Sequence, residues 1–196
     1  MKHMPEPRTR TILRTLCLGL FAVGVVTTVH AMRLPHQAAK QQRMLEDAYI
    51  ETVENGAPVM PWKKSDIAVA GKVIYPRLRQ SLVVVTTGSE EALEAGPSLI
   101  PGTAPIGAPG ASFISAHRET HFAFLRRAKV GDTVQAAGAD GTLRDYRVTK
   151  IEVVDVDDLA MPQGLRESQL VLFTCYPFNS LKLDDRRFVV HAELAD

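Results

Sequence analysis

The chain has 196 residues, of which 45% are hydrophobic and 23% are charged, as in an ordinary globular protein. Its formal net charge of +1 at pH 7 provides no strong positive field, so nucleic acid is not predicted as a partner. The two cysteines, Cys17 and Cys175, lie in very different sequence surroundings, which argues against a disulfide framework.

The N-terminal segment combines positive charge with an apolar run. Lys2, Arg8 and Arg10 come first, and Arg14 lies just before the run LCLGLFAVGVVTTV, which spans residues 16–29. This run is shorter than the roughly 20 apolar residues that cross a bilayer, but the long side chain of Arg14 can extend to the interface. Positive charge ahead of the run predicts that the N-terminus stays in the cytoplasm and that the rest of the chain is exported.

Two interpretations of this segment compete. It is either an uncleaved signal anchor or a signal peptide cleaved near residues 29–31, which include the small residue of a cleavage site. We favour the anchor because a polar stretch rich in helix formers, residues 36–54, follows directly. This stretch is predicted to be a helical stalk, or an N-terminal helix packed on the domain, that ends at Gly56, Pro58 and Pro61.

From about Trp62 onward, short β-type runs alternate with turn signals. We predict strands at residues 67–75, 81–87, 111–117, 132–138, 145–156, 168–175 and 187–194. Short helices are predicted at residues 89–96 and 120–128. About seven or eight strands with small helical insertions predict a mainly β fold, with one closed or nearly closed β-barrel.

The chain therefore divides into three predicted parts. They are a cytoplasmic tail with a transmembrane signal anchor, a helical stalk or linker, and a β-barrel domain, at residues 1–31, 32–61 and 62–196. This division predicts a single-pass protein of the inner (cytoplasmic) membrane whose barrel faces the periplasm or the exterior. A lone cysteine in such an exported domain has no partner for an internal disulfide and is a candidate reactive thiol.

Two residues at predicted strand ends can carry chemistry. Cys175 ends the strand in VLFTCYPF, where Pro177 cannot continue a central strand. A strand end that opens into a loop often holds a catalytic side chain, although a buried structural cysteine would fit the same position. His117 ends the strand ASFISAH, and an imidazole there can take a proton from a thiol and give one to a leaving amine. A hydrogen-bonded structural histidine is the alternative, and His121 competes for the catalytic role.

The same stretch raises the question of a metal site. His117, Glu119 and His121 could act as ligands, but their order is His-Arg-Glu-Thr-His. A zinc protease needs the glutamate directly after the first histidine, so that both histidines and the base face one metal. No second cysteine in this domain is available to complete a site. Neither a metal nor any other cofactor is predicted.

Two arginines precede the last predicted strand. A guanidinium keeps its charge and presents several fixed donors, which suits a developing oxyanion. Arg186 and Arg187 both qualify. Because Asp184 and Asp185 lie beside them, a surface ion-pair cluster of little energetic value is the alternative.

Three motifs, in this order along the chain, resemble the sortases. They are an A-H-R that ends the proline- and glycine-rich run PGTAPIGAPGASFISAHR, the strand LVLFTCYPF, and R-x-V-V at the start of the last strand. The resemblance covers roughly residues 62–196, and it is strongest to the Gram-negative, or marine proteobacterial, sortases, which share TCYPF with some Gram-positive subclasses. It implies an eight-stranded sortase β-barrel with short helices, preceded here by an N-terminal transmembrane helix.

The resemblance also implies roles for individual residues. By position, Cys175 matches the nucleophile, His117 the proton shuttle and Arg187 the oxyanion stabiliser. Arg187 is preferred because it directly precedes the FVV strand, and a slip of one residue would exchange it with Arg186 on the other face. Thr174 matches the threonine before the nucleophile and is expected to shape the substrate pocket or the oxyanion site.

A sortase is a transpeptidase, so the resemblance implies a substrate and an acceptor. The substrate would be an exported protein with an LPXTG-like sorting signal near its C-terminus. The acyl group would be held as a thioester on Cys175 and then transferred to an amine at the cell envelope. Two alternatives remain open, namely a hydrolytic cysteine protease that uses the same residues and a non-catalytic β-barrel binding module on a membrane stalk.

Overall fold

The structure, a computed structural model, describes residues 7–86, 90–159, 165–179 and 184–195. It opens with one long helix, α1 (Pro7–Asn55), which ends where Gly56 adopts a left-handed φ of 66°. The chain forms two compact units, Met1–Gln42 and Arg43–Asp196.

In the first unit, the apolar side chains that the structure describes are exposed. They are Ile12, Leu16, Leu18, Leu20, Phe21, Val23 and Val25. Within the described residues, no helix combines the length and the hydropathy that a bilayer crossing requires. The membrane anchor at residues 1–31 therefore stays a prediction.

The second unit is built on eight strands. They are β1 (Val69–Tyr75), β2 (Gln80–Val85), β3 (Ser98–Leu99), β4 (Gly110–Ser115), β5 (Thr133–Ala137), β6 (Arg144–Asp155), β7 (Ser168–Cys175) and β8 (Arg186–Leu194). They close into a barrel in the order β1-β2-β3-β4-β7-β8-β6-β5. Helix α2 (Glu90–Ala95) and three short 3-10 helices, Pro76–Leu78, Ala123–Arg127 and Val156–Asp158, join them. The predicted closed, eight-stranded, mainly β barrel with short helices is confirmed.

The C-terminal part of α1 belongs to the barrel unit. Leu45 and Ala48 are buried in an apolar cluster with Ile67 and Val69. An ion pair of 2.7 Å between Glu46 and Lys72 borders this contact. The helix from Arg43 onward is therefore packed on the barrel, which was one of the two predicted arrangements for residues 36–54.

Alternation along the strands separates two apolar regions. The main core fills the barrel, and β7 contributes Leu170 and Leu172 to it. Val171 and Phe173, which alternate with these leucines along β7, point outward. Together with residues of β4 and β8 they form a second group, the outer apolar cluster, which consists of Ala111, Phe113, Val171, Phe173 and Val189. It lies over β4, β7 and β8 and is bordered by Ile100, Val154, Leu159 and Leu165. The barrel thus carries an apolar face on its outside as well as a core inside.

A buried carboxylate ties the end of β1 to the segment before β5. The Tyr75 hydroxyl donates to Asp132 over 2.7 Å, and the Arg77 guanidinium donates to both oxygens of Asp132 over 2.6 Å. The backbone N–H of Lys129 donates over 2.8 Å. Burial alone would raise the pKa of Asp132, but these hydrogen bonds outweigh burial and lower the pKa to about 2.

We expect Asp132→Ala to lower the free energy of unfolding by about 2 kcal/mol at pH 7, because the buried Tyr75 hydroxyl and the Lys129 N–H lose their acceptor. Since folding lowers the pKa of Asp132, its stabilisation is complete above about pH 4 and is lost as the pH falls towards 2. Urea unfolding can be followed by the fluorescence of the single tryptophan, Trp62. The difference in the free energy of unfolding between variant and wild type should become smaller as the pH falls through this range.

The chain offers a matched control for this prediction. Asp140 forms an ion pair of 2.8 Å with Arg144, but the Asp140 side chain is 49% exposed. Asp140→Ala should cost less than about 1 kcal/mol, as expected for an ion pair in contact with water. Equal losses in the two variants, or a difference for Asp132→Ala that does not change with pH, would contradict this account of the Asp132 contacts.

Candidate active site

The cysteine and one arginine lie directly opposite each other on neighbouring strands. Cys175 is the last residue of β7 and is partly exposed. The antiparallel register of β7 and β8 pairs it with Arg187. Side chains paired in this way have Cβ atoms about 5 Å apart. Side chains alternate between the inside and the outside of the barrel along β7 and β8. The Cys175 thiol and the Arg187 guanidinium therefore lie on the same outer face as the outer apolar cluster, at the end of the two strands.

The two neighbouring arginines have different partners. Arg186 forms a two-point ion pair with Asp184, with N···O distances of 3.0 and 2.8 Å, and its guanidinium lies 5.1 Å from the ring centroid of Tyr176. Arg187 Nη1 instead donates to the backbone carbonyls of Asp184 and Arg186. No ion pair among the described residues includes Arg187, so its charge is available at the strand end beside the thiol.

His117 lies at the end of the strand on the other side of β7. Strands β4 and β7 are parallel, with Ser115 paired to Phe173. The N–H of Ala116 continues this pairing by donating to the Phe173 carbonyl over 3.4 Å. The exposed His117 follows the Ser115–Phe173 pair by two residues on one strand, and Cys175 follows it by two residues on the other. Strand β7, which ends at Cys175, is thus flanked by β4, which leads to His117, and by β8, which contains Arg187.

Thr174 joins two of these strand ends. Its side chain is 1% exposed, and its hydroxyl donates to the Ala116 carbonyl over 2.6 Å. This hydrogen bond links the residue before Cys175 to the residue before His117. The hydroxyl therefore fixes the two strand ends to each other, and the contact of Thr174 with a substrate stays a prediction.

His121, the competing histidine, has a different environment. Its Nε2 lies 3.3 Å from the backbone carbonyl oxygen of Glu94, the penultimate residue of α2. Burial, the largest cause, lowers the pKa of His121. Of the two histidines, His117 is the one that the strand register aligns with Cys175.

The carboxylate between the two histidines is engaged by an arginine. Glu119 forms an ion pair with Arg118, and this hydrogen bond is the largest cause that lowers the pKa of Glu119. In the part of the chain that the structure describes, no three histidine, cysteine, aspartate or glutamate side chains group as metal ligands. Arg118 was predicted only as part of the A-H-R motif, although its position directly after His117 was a signal that it borders the site.

The fold and the site can now be compared with known proteins. A family model described as a sortase domain matches residues 73–195. Sortase D of Bacillus subtilis (strain 168) is 25% identical over 125 residues, which are 63% of this chain and 63% of that protein. The chain thus spans somewhat less than two thirds of the length of this relative.

Solved structures show the same barrel. The complex of Streptococcus agalactiae sortase C1 with MTSET is 26% identical, with a TM-score of 0.59 over 81% of this chain and 90% of that chain. A Clostridium perfringens Sortase D5 transpeptidase is 17% identical and shares the fold, with a TM-score of 0.64 over 81% of this chain and 98% of that chain. The predicted resemblance is confirmed at the level of the family, because the sortase-domain model matches more than half of the chain. The chain belongs to the sortase family.

Proposed function

We propose that the protein is a membrane-anchored sortase that cleaves an LPXTG-like sorting signal and transfers the acyl group to an amine. The observation that carries the proposal is the convergence of three strand ends. Cys175 is paired with Arg187 on one side, and the strand that leads to His117 runs parallel to β7 on the other. A nucleophile, an oxyanion donor and a proton shuttle are the groups that acyl transfer through sulfur requires.

The reaction proceeds in two steps. In the first, His117 takes the proton of the Cys175 thiol, the sulfur forms a bond with the carbonyl carbon of the sorting signal, and Arg187 donates hydrogen bonds to the negative oxygen. The C–N bond then breaks, His117 gives this proton to the leaving amine, and a thioester remains. In the second step, an acceptor amine attacks the thioester carbon and gives its proton to His117. The C–S bond breaks, His117 passes the proton to the sulfur, and the free thiol and a new amide bond result.

The outer apolar cluster supports the strands that carry the proposed site. Phe113, Val171, Phe173 and Val189 are at most 9% exposed, because Ile100, Val154, Leu159 and Leu165 pack against the cluster. These buried side chains lie on β4, β7 and β8, the strands whose ends carry or lead to the proposed catalytic residues.

Membrane attachment, location and class are parts of the same proposal. The exposed apolar side chains of the first unit support an anchor at residues 1–31 in the inner (cytoplasmic) membrane, with the barrel on the periplasmic or exterior side. The partners would be an exported protein with a C-terminal sorting signal and an amine acceptor at the cell envelope. The resemblance over residues 62–196, rather than the TCYPF segment that some Gram-positive subclasses share, supports assignment to the Gram-negative class.

Mass spectrometry of peptide products tests this function. The full chain is incubated with an LPXTG-containing peptide, with and without a diglycine amine. A sortase yields a ligated peptide that depends on the amine. Hydrolysed peptide alone, unchanged by the amine, would instead indicate a cysteine protease. No cleavage, together with no selective labelling of Cys175 by a thiol-reactive peptide mimic, would indicate a binding module.

A further inference from the structure

The turn before β5 displays an apolar side chain to solvent. Val130 is 63% exposed and lies between Lys129 and Gly131. The Asp132 N–H donates to the Lys129 carbonyl over 3.1 Å, which closes a β-turn with Val130 at its second position. The Gly131 N–H donates to the Val148 carbonyl over 2.8 Å, and Gly131 adopts a left-handed φ of 89°. The backbone on both sides of Val130 is therefore fixed, while its side chain remains outside the core.

Three cations come directly before this side chain in the sequence. Arg126 and Arg127 end a 3-10 helix, Lys129 begins the turn, and all three are exposed. Among the residues that the structure describes, no ion pair includes any of them. The carboxylate of the turn, Asp132, is already bound by Arg77 over 2.6 Å. Because the whole chain has a net charge of only +1, this segment concentrates positive charge at one place on the barrel.

Guanidinium groups from two other elements lie against the same segment. Arg77 Nη2 donates to the Arg127 carbonyl over 2.5 Å, and Arg147 Nη1 donates to the Gly131 carbonyl over 3.1 Å. Arg147 has Glu193 opposite it in the register of β6 and β8, and Arg77 is bound to a carboxylate. The free positive charge of this surface therefore comes mainly from the segment itself, and the neighbouring arginines hold its backbone in place.

We propose that Arg126, Arg127, Lys129 and Val130 form a docking surface for a bilayer that contains anionic phospholipids. The cations bind lipid phosphate groups, and the Val130 side chain enters the interface. A single exposed apolar residue is common on protein surfaces, but a fixed one next to unpaired cations has the chemistry that an anionic lipid surface binds. The inference rests on the proposed function, because the proposed anchor at residues 1–31 keeps the barrel beside a bilayer at high effective concentration. This favours a lipid surface over an acidic protein as the occupant.

The docking surface borders the segment that follows the candidate nucleophile. Arg126 Nη1 lies 3.5 Å from the side-chain oxygen of Asn179, in the connection that leaves β7 after Cys175. Docking would therefore restrict the orientation of the proposed site relative to the bilayer.

Fluorescence quenching by brominated lipids tests the docking directly. Val130→Trp places a reporter in the turn, and the wild type, with Trp62 alone, gives the background. The full chain is reconstituted into vesicles that carry the same fraction of brominated acyl chains, either of phosphatidylcholine alone or of phosphatidylcholine mixed with phosphatidylglycerol. The introduced tryptophan should be quenched in the mixed vesicles. Its quenching should be at least about threefold weaker in phosphatidylcholine alone, and also at high salt concentration, because both conditions weaken the attraction of the cations to the surface.

Two matched pairs of charge variants are compared in the Val130→Trp background. Arg127→Gln combined with Lys129→Gln should reduce the quenching roughly fivefold or more. Lys63→Gln combined with Lys64→Gln also removes two exposed cations, but these precede β1 whereas Arg77, which contacts the docking surface, follows it. This control should leave the quenching unchanged, and thermal unfolding shows that both variants fold.

Three results would overturn the proposal. They are no quenching of the introduced tryptophan, equal quenching in phosphatidylcholine alone, and equal behaviour of the two pairs of charge variants. A surface that binds an acidic protein instead of a bilayer would give the first of these results.

The same samples separate docking from the proposed function. Retention on the vesicles after a high-salt wash reports the anchor, and ligation of an LPXTG peptide reports the reaction. Retention and ligation without quenching would overturn the docking surface alone. Quenching that depends on phosphatidylglycerol, without ligation, would support the docking surface and refute the transpeptidase. Loss of retention would refute the anchor, and quenching at low salt concentration then decides the docking surface by itself.

Discussion

Replacing Cys175 with alanine should abolish thioester formation and reduce cleavage of an LPXTG peptide by at least about 10³-fold, because no other described residue at these strand ends offers a thiol. The barrel should remain folded. Cys175 is partly exposed at the end of β7, so loss of its sulfur should change the free energy of unfolding by less than about 1 kcal/mol. Peptide cleavage rates, with urea unfolding of the same samples, measure both effects.

Cys17→Ala is the matched control for this result. It removes the other free cysteine, which lies exposed in α1, and should leave cleavage unchanged. If Cys175→Ala still cleaves the peptide and Cys17→Ala does not, Cys17 is the nucleophile and the proposed mechanism is refuted.

Replacing Arg187 with alanine should reduce kcat/KM for peptide cleavage by about 10²- to 10³-fold, as for loss of an oxyanion donor. The register of β7 and β8 places this arginine opposite Cys175, and the bonds that Arg187 Nη1 makes to backbone carbonyls hold the guanidinium without neutralising it. Arg187→Lys should recover only part of the rate, because an ammonium lacks the planar fork of donors.

Arg186→Ala distinguishes this role from a general effect of charge. Arg186 is bound to Asp184 and lies over the Tyr176 ring, so its loss should loosen the turn before β8 and reduce kcat/KM less than tenfold. A larger loss in Arg186→Ala than in Arg187→Ala would transfer the oxyanion role to Arg186. Thermal unfolding of both variants shows whether either loss reflects a change in stability.

Much of the barrel could be predicted because its strands carry a local signal. The runs that became β1, β6, β7 and β8 are long enough to show β-type composition between turn residues, and this composition predicts strands without any knowledge of tertiary contacts. Strand β3 could not be found in this way. It has only two residues, Ser98–Leu99, and exists because β2 and β4 pair with it on either side.

The site could be predicted only as far as strand ends reveal it. Cys175 and His117 stand out because each ends a predictable strand, but the choice between His117 and His121, and between Arg186 and Arg187, depends on register. Pairing between strands distant along the chain supplies that register. The exposed fraction of the Arg118 side chain, 11%, has the same origin, because it depends on the fold and not on the residues next to it in sequence.

Cys175 and Arg187 are held by the backbone pairing of β7 with β8, and His117 follows the paired part of β4, whereas most of the segments that border the outer apolar cluster are connections. Connections of this kind can change in length and composition without moving the strands that they join. Their sequences can therefore diverge among relatives while the pairing of Cys175 with Arg187 is kept.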